Sequence, residues 1–266
     1  MSKLIKPFVV AQFSDCHLFA DKKAKHFKAN VWNNLRLVLA DIAKQDPLDC
    51  IVFTGDLTQD HSDLSYQHFV DAIEQAKFKI PVYFLAGNHD DPTLLTKYLT
   101  APLFQQNKTI SDEAWQIQLI DSKSDTPSGI VSQQCLQNLS QSINKNKSID
   151  GNKFQLIMMH HHPVDIGYDI DKHGLLNQHD FWQTIIALNG SGLNIKAIAC
   201  GHVHRASQLM QHNVNIYTCP ATSIQFGETK DHESSIVPSY RLFYLKSNGT
   251  INSEIVTLNN IQNKIK

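Results

Sequence analysis

Apolar and polar positions follow a strand, loop, helix rhythm along the first third of the chain. "FVVAQFSD" (8–15) is a short apolar run closed by polar residues, so it predicts a buried strand. "NVWNNLRLVLADIAKQ" (30–45) spaces Val31, Leu35, Val38, Leu39 and Ile42 as one helical face, with Asn30 as candidate N-cap and Pro47 as the stop. "DCIVFTGD" (49–56) predicts the next strand. "SDLSYQHFVDAIEQAK" (62–77) predicts the next helix, with Ser62 as its N-cap. "PVYFLAGNHD" (81–90) predicts a third strand, and a short helix follows over 92–99.

Strands are expected at 115–121 and 154–160 around a helix near 132–143, with "SKSDTPSG" (122–129) as a loop by composition. A helix near 177–189 precedes a strand at 195–201. From about 205 the segments "VNIYTCPA", "SYRLFYL" and "GTINSEIVTL" read as antiparallel strands. Between the last two, "SNGT" (247–250) reads as a hairpin turn, because Asn-Gly tolerates positive φ. The tail "NNIQNKIK" is expected to fray. Without repeats, low-complexity stretches or a linker, one α/β domain over 1–266 is the reading.

Composition narrows the function. The formal net charge is −1, so there is no electrostatic case for a nucleic acid or an acidic membrane as partner. The cluster Lys22, Lys23, Lys25 and Lys28 reads first as a solvated face, with steering of a phosphate as the second reading. No apolar run approaches the ~18 residues of a membrane span, and the N-terminus lacks the pattern of a signal peptide. Five cysteines, an odd number without C-x-x-C pairing, read as reduced buried thiols of a cytosolic protein. Trp32, Trp115 and Trp182 fall in element patterns and are assigned to packing. Histidine is the outlier, with 14 residues, many beside Asp or Asn.

The histidines and aspartates collect where the strands end. "FSDCH" ends in Asp15 and His17, "FTGD" in Asp56, "LAGNHD" in Asn88, His89 and Asp90, "MMHHH" in His160 onward, and "CGHVH" in His202 and His204. In open α/β sheets, sites form outside the carboxyl ends of strands, so the five tips should converge. On an extended backbone the i, i+2 pairs Asp15/His17 and His202/His204 point the same way. The glycines before Asp56, Asn88 and His202 leave room for sharp turns and close backbone approach. Oxygen and nitrogen donors without a thiolate suit manganese, iron or zinc. Each piece alone has a plain structural explanation as a turn, a cap or a polar loop. All five at strand tips, in this order, do not.

D-x-H, G-D, G-N-H-D, H-H and G-H-x-H in this order resemble the calcineurin-like metallophosphoesterases, over residues 8 to about 225. The finer text, "SDCHLFAD", "FTGDLTQDHSDLSYQHF", "AGNHD", "MHHHPV", "CGHVH" and "CPATSIQF", resembles the bacterial class III 3′,5′-cyclic-nucleotide phosphodiesterases of the CpdA/Icc type. The resemblance implies a four-layer sandwich, two mixed β-sheets flanked by helices. It implies two cations, iron or manganese with zinc as a third choice. One is held by Asp15, His17, Asp56 and His204. The other is held by Asp56, Asn88, His160 and His202, with Asp56 bridging. His89 is then the catalytic histidine and not a ligand.

The implied reaction is hydrolysis of 3′,5′-cyclic AMP to 5′-AMP by a metal-bridging hydroxide, in the cytoplasm, by a monomer or homodimer. Substrate contacts fall on His17, Asp56, Asn88, His89, His160 and His204. Either Asp90 or Asp60 would hold the tautomer of His89. The loop "LFADKKAKHFKANVW" and "CPATSIQF" would border the nucleotide. A broader phosphodiesterase or phosphomonoesterase is the enzymatic alternative. A metal-bound protein scaffold is the alternative of another class, and it would require missing ligands. Val164 stands where a second proline is common, and a third histidine is present, which shifts the alignment by one. Every other motif places its ligand at the first tip position, which makes His160 the choice. If the strand continues, His161 would face away, as packing or as support behind the ligands, and His162 could face the site as a substrate contact or such a support.

Overall fold

Alternating burial along the strands builds two faces, and each face finds a layer. The computed structural model describes residues 6–150, 153–227 and 235–259. In β1 (Phe8–Phe13) and β2 (Cys50–Phe53), Ala11, Phe13, Ile51 and Phe53 face one way. Val10, Cys50 and Val52 face the other. The first set packs under the helices α1 (Val31–Ile42), α2 (Asp63–Ala76) and α3 (Pro92–Tyr98). The second set meets Trp115, Ile117, Leu156, Met158, Ala197 and Ala199 of the other sheet. That sheet's far face carries Ile157, Met159, Ile198 and Ile216 against α4 (Gln133–Asp150) and α5 (Gln178–Gly190). Helix, sheet, sheet and helix thus form four layers with an apolar seam at each junction.

The first sheet adds β3 (Val82–Phe84), β4 (Phe104–Gln105), β11 (Ser239–Leu245) and β12 (Ile251–Thr257), in the order β12-β11-β1-β2-β3-β4. The second contains β5 (Thr109–Ser111), β6 (Trp115–Leu119), β7 (Phe154–Met159), β8 (Asn194–Cys200), β9 (Ser207–Gln211) and β10 (Val214–Thr218), in the order β5-β6-β7-β8-β10-β9. Within each sheet the central strands, β1-β2-β3 and β6-β7-β8, run parallel. Their carboxyl ends therefore emerge along one edge of each sheet, which is where the site lies.

The caps read from the sequence are present: Asn30 accepts from the Asn33 N–H and Ser62 from the Ser65 N–H. Asp91 caps α3 through the Thr93 N–H. The turn at 247–250 closes with Gly249 at φ 85°. Three readings change. β10 is antiparallel to β9 but parallel to β8, so the C-terminal strands are not all antiparallel. The strand expected at 81–90 is only three residues long; the apolar run overstates it, because Leu85 and Ala86 stay buried after the strand has ended. A 3₁₀ helix at Asp169–His173 has no apolar signature. Of the tail, residues 260–266 lie outside the described part. Among the described residues no helix is long and apolar enough to cross a membrane.

Candidate metal centre

The loops after β1 and β2 are stitched together by backbone hydrogen bonds. The Asp15 N–H donates to the Gly55 carbonyl at 2.9 Å, and the Cys16 and His17 N–H groups donate to the Asp56 carbonyl at 2.8 and 3.1 Å. Across to the second sheet, the His202 N–H donates to the Asp15 carboxylate, with oxygens at 3.1 and 3.2 Å. The five tips expected to converge do so. Asp15, His17, Asp56, His160, His202 and His204 are all at most 5 % exposed, and Asn88 is half-buried.

The backbone that achieves this is not extended, and here the expectation is corrected. Asp15 (φ 58°), His17 (49°), Asp56 (59°), His202 (66°) and His204 (53°) all occupy the left-handed region. L-residues visit it at a cost, and such strain concentrates at functional sites. The pairs Asp15/His17 and His202/His204 converge because both members turn, not because a strand continues. Glycine is required for the same close approach. A Cβ at Gly87 would collide with the Asp56 carboxylate, and one at Gly201 with the Ser14 hydroxyl.

The ring nitrogens are aimed. His160 Nδ1 lies 2.7 Å from the Thr54 carbonyl and His204 Nδ1 lies 2.9 Å from the Ile224 carbonyl. A carbonyl only accepts, so each Nδ1 carries a proton, and each Nε2 is the nitrogen left to bind a cation once it is deprotonated. Metal-binding histidines are held this way by their second nitrogen. His204 Nε2 and His17 Nε2 face one another at 3.0 Å, with Asp15 Oδ1 3.3 Å from the former. Asp56 Oδ2 lies 3.7 Å from His17 Nε2 and 3.4 Å from His160 Nε2. Asn88 Oδ1 lies 3.0 Å from His160 Nε2.

Four triplets gather their donor atoms tightly enough to hold a cation: Asp15-His17-His204, His17-Asp56-His89, Asp15-Asp56-His160 and His160-His161-His202. Imidazole nitrogens converging on buried carboxylates are the donor chemistry a cation of the manganese, iron or zinc type accepts.

Electrostatics follow from burial and proximity. Burial, then the charge of His204, pushes His17 well below the usual histidine range. Burial, then His160, does the same to His202. For His160 burial is outweighed by the Asp56 charge and hydrogen bond, which raise it to about 9. The same pairing outweighs burial at Asp56 and holds its carboxyl well below the usual range.

His89 is half-buried beside this cluster. Its N–H donates to Asp56 Oδ1 at 2.8 Å, and its ring stands edge-on to that of His17, with centroids 4.9 Å apart. The carboxylates expected to hold its ring do not. Asp90 instead accepts the N–H groups of Asp56, Gly87 and Leu57 at 2.8 Å and of Thr58 at 3.4 Å. Burial and the Asp56 charge raise Asp90 to about 6. Asp60 accepts from Ala20 and Ser62.

Residues the motifs did not indicate complete the surround. His61 Nδ1 lies 2.9 Å from the His89 carbonyl, and its ring is parallel to that of His89. Lys123 donates to the Asn88 carbonyl at 3.0 Å from a loop recognised only by composition.

The three consecutive histidines separate. His160 faces Asp56 and Asn88. His161 has both nitrogens occupied, Nδ1 at 2.9 Å from Ser122 Oγ and Nε2 at 3.2 Å from the Pro127 carbonyl, while its ring leans on His202. His162 also stacks on His202, with centroids 5.6 Å apart, and its Nε2 lies 3.2 Å from Asp171 Oδ1. Cys16 is buried in the core under the helices.

A family model described as calcineurin-like phosphoesterase matches residues 8–206, and the chain belongs to that family. It is 48% identical over 262 residues to a "Probable cyclic nucleotide phosphodiesterase" of Colwellia psychrerythraea, covering 95% of this chain and 96% of that one. It is 33% identical over 256 residues to the 3′,5′-cyclic adenosine monophosphate phosphodiesterase CpdA of Escherichia coli, covering 92% and 88%. Among solved structures, GAP50, the anchor in the inner membrane complex of Plasmodium, superposes with a TM-score of 0.70 at 14% identity, covering 96% of this chain and 86% of that one. A purple acid phosphatase of yellow lupin reaches 0.56 at 13%, covering 94% and 53%. At such identities both show the fold, two mixed sheets flanked by helices.

Proposed function

We propose that the chain hydrolyses 3′,5′-cyclic AMP to 5′-AMP at a centre of two cations, lowering the cyclic nucleotide inside the cell. The names of the relatives support the substrate class. One observation carries the two-cation reading: Asp56 Oδ2 lies between His17 of the first sheet and His160 of the second, within 3.7 Å of both ring nitrogens. On this reading Asp15, His17, Asp56 and His204 hold one ion. Asp56, Asn88, His160 and His202 hold the other, and iron or manganese suits the donors best. Bound there, the pair supplies Lewis acidity and a nucleophile derived from water.

The protein's own groups do the rest. Thr54 and Ile224 fix two ring tautomers, and Asp90 fixes the loop that carries Asp56. His89 stands where it can hold a phosphoryl oxygen and give a proton to the departing 3′-oxygen, a poor leaving group as an alkoxide. Burial lowers its pKa, and an anionic phosphodiester beside it favours the charged form again. The free cysteines support a reducing, cytoplasmic setting. The reading requires neither nucleic acid nor membrane, and a monomer or a homodimer satisfies it.

The test is an assay of purified protein loaded with manganese or iron. It compares 3′,5′-cyclic AMP, 2′,3′-cyclic AMP and bis(p-nitrophenyl) phosphate, with products identified by chromatography. Release of 5′-AMP from the 3′,5′ substrate is expected. Turnover of the artificial diester alone would contradict the substrate.

A further inference from the structure

We propose that Phe27 is the platform on which the nucleobase of the substrate stacks, and so the residue that favours nucleotides over other diesters. The proposal rests on the nucleotide reading above. Three observations carry it.

Phe27 is the most exposed of the large apolar side chains among the described residues, at 68%. The others are Leu64, Ile130, Leu176, Ile186 and Met210, and Phe27 alone of the six has a positive φ, 50°. That conformation suits glycine or asparagine, and a bulky aromatic there is an outlier.

The turn that presents it is closed. His26 and Ala29 exchange both backbone hydrogen bonds at 3.0 Å, leaving Phe27 and Lys28 at the tip. An exposed ring held in a disfavoured conformation gains nothing for the fold. Strain kept in a closed turn points to a use for the side chain.

The ring is also connected to the donor cluster. Phe27 packs edge-on against the half-buried His26 with centroids 4.9 Å apart, and His26 stacks on His17 at 5.0 Å with 12° between planes. A phosphate held beside His17 therefore has a continuous line of flat rings leading outward to Phe27. A nucleotide fits this geometry, because its base lies on the side of the ribose away from the phosphate. Stacking on an aromatic ring accepts any base, so the platform selects for a nucleobase and not for its identity.

The experiment measures the affinity of 5′-AMP and of inorganic phosphate for the metal-loaded protein, wild type, Phe27→Gly and Phe27→Trp, by calorimetry. Glycine suits the positive φ, so Phe27→Gly should fold and melt no lower than wild type. Its affinity for 5′-AMP is expected to fall about 5- to 100-fold, with phosphate affinity unchanged and Phe27→Trp close to wild type. Equal 5′-AMP affinity in Phe27→Gly would overturn the platform, as would a parallel loss of phosphate affinity, or no binding of 5′-AMP by the wild type. Turnover of 3′,5′-cyclic AMP by the wild type, scored separately, judges the proposed reaction, so the two ideas fail in different assays.

Discussion

The buried carboxylate of Asp90 accepts the backbone N–H of Asp56 at 2.8 Å and uses its remaining lone pairs on Gly87, Leu57 and Thr58. It joins the loops after β2 and β3, and so fixes the distance from Asp56 to Asn88. Asn at this position would turn an amide N–H₂ toward donors. Asp90→Asn should cost about 1–3 kcal/mol of stability. It should also weaken metal binding by roughly 10- to 100-fold, as other losses behind a ligand do. Denaturant unfolding and metal titration check both, and unchanged metal affinity would remove Asp90 from this role.

Much of this site is readable in the sequence, and the unread part has a common cause. Apolar runs ending in Asp, Asn or His locate the strands and their tips, because a buried strand must be apolar until it leaves the sheet. Asn30 and Ser62 are readable because a cap acts within three residues. The left-handed backbone of Asp15, His17 and Asp56 is not readable, because nothing local favours it. At Asp15 and His17 it is held by hydrogen bonds to Gly55 and Asp56 on the neighbouring loop, and at Asp56 by the N–H bond to Asp90. The role of Asp90 is unreadable for the same reason, since its partners Asp56, Leu57 and Thr58 lie more than thirty positions earlier. β9 leaves little trace in the sequence, because "SQLMQ" is half exposed and carries little apolar signal.

His89 touches Asp56 through its backbone N–H, leaving its ring free for substrate. His89→Gln should lower kcat by about 10²–10⁴ while both metals stay bound. Metal content measured on the same preparation separates the outcomes, and loss of an ion would make His89 a ligand.

Two glycines test the close approach. Gly87→Ala places a methyl group against the Asp56 carboxylate and should sharply reduce both stability and metal affinity. Gly190, at the end of α5, has open space around its Cβ direction. Gly190→Ala should be neutral or stabilise by about 0.4–1 kcal/mol. Equal melting temperatures for the two variants would contradict the packing described.

Acid should destabilise the metal-free chain. Burial keeps His17, His161 and His202 neutral in the fold, whereas the unfolded chain protonates them as pH falls through 6.5. The unfolded state then binds more protons, so stability falls with pH. His160 opposes this. Raised to about 9, its contribution is complete below 6.5 and is lost as pH rises through about 9. His26, lowered to about 4 by burial, adds to this loss, and Asp90, raised to about 6 by burial and the Asp56 charge, offsets part of it, so the balance is a net loss of stability between roughly pH 7.5 and 5.5. Urea unfolding at the two pH values measures it, and greater stability at the lower pH would contradict the assignment.

The central claim is that Asp56 joins two cations across the two sheets. Anomalous diffraction from crystals of the manganese-loaded protein tests it most directly. Two peaks are expected, roughly 3.5–4 Å apart, with Asp56 Oδ2 between them, His17 and His204 on one side and His160 and Asn88 on the other. A single peak, or two peaks that do not share Asp56, would contradict the account.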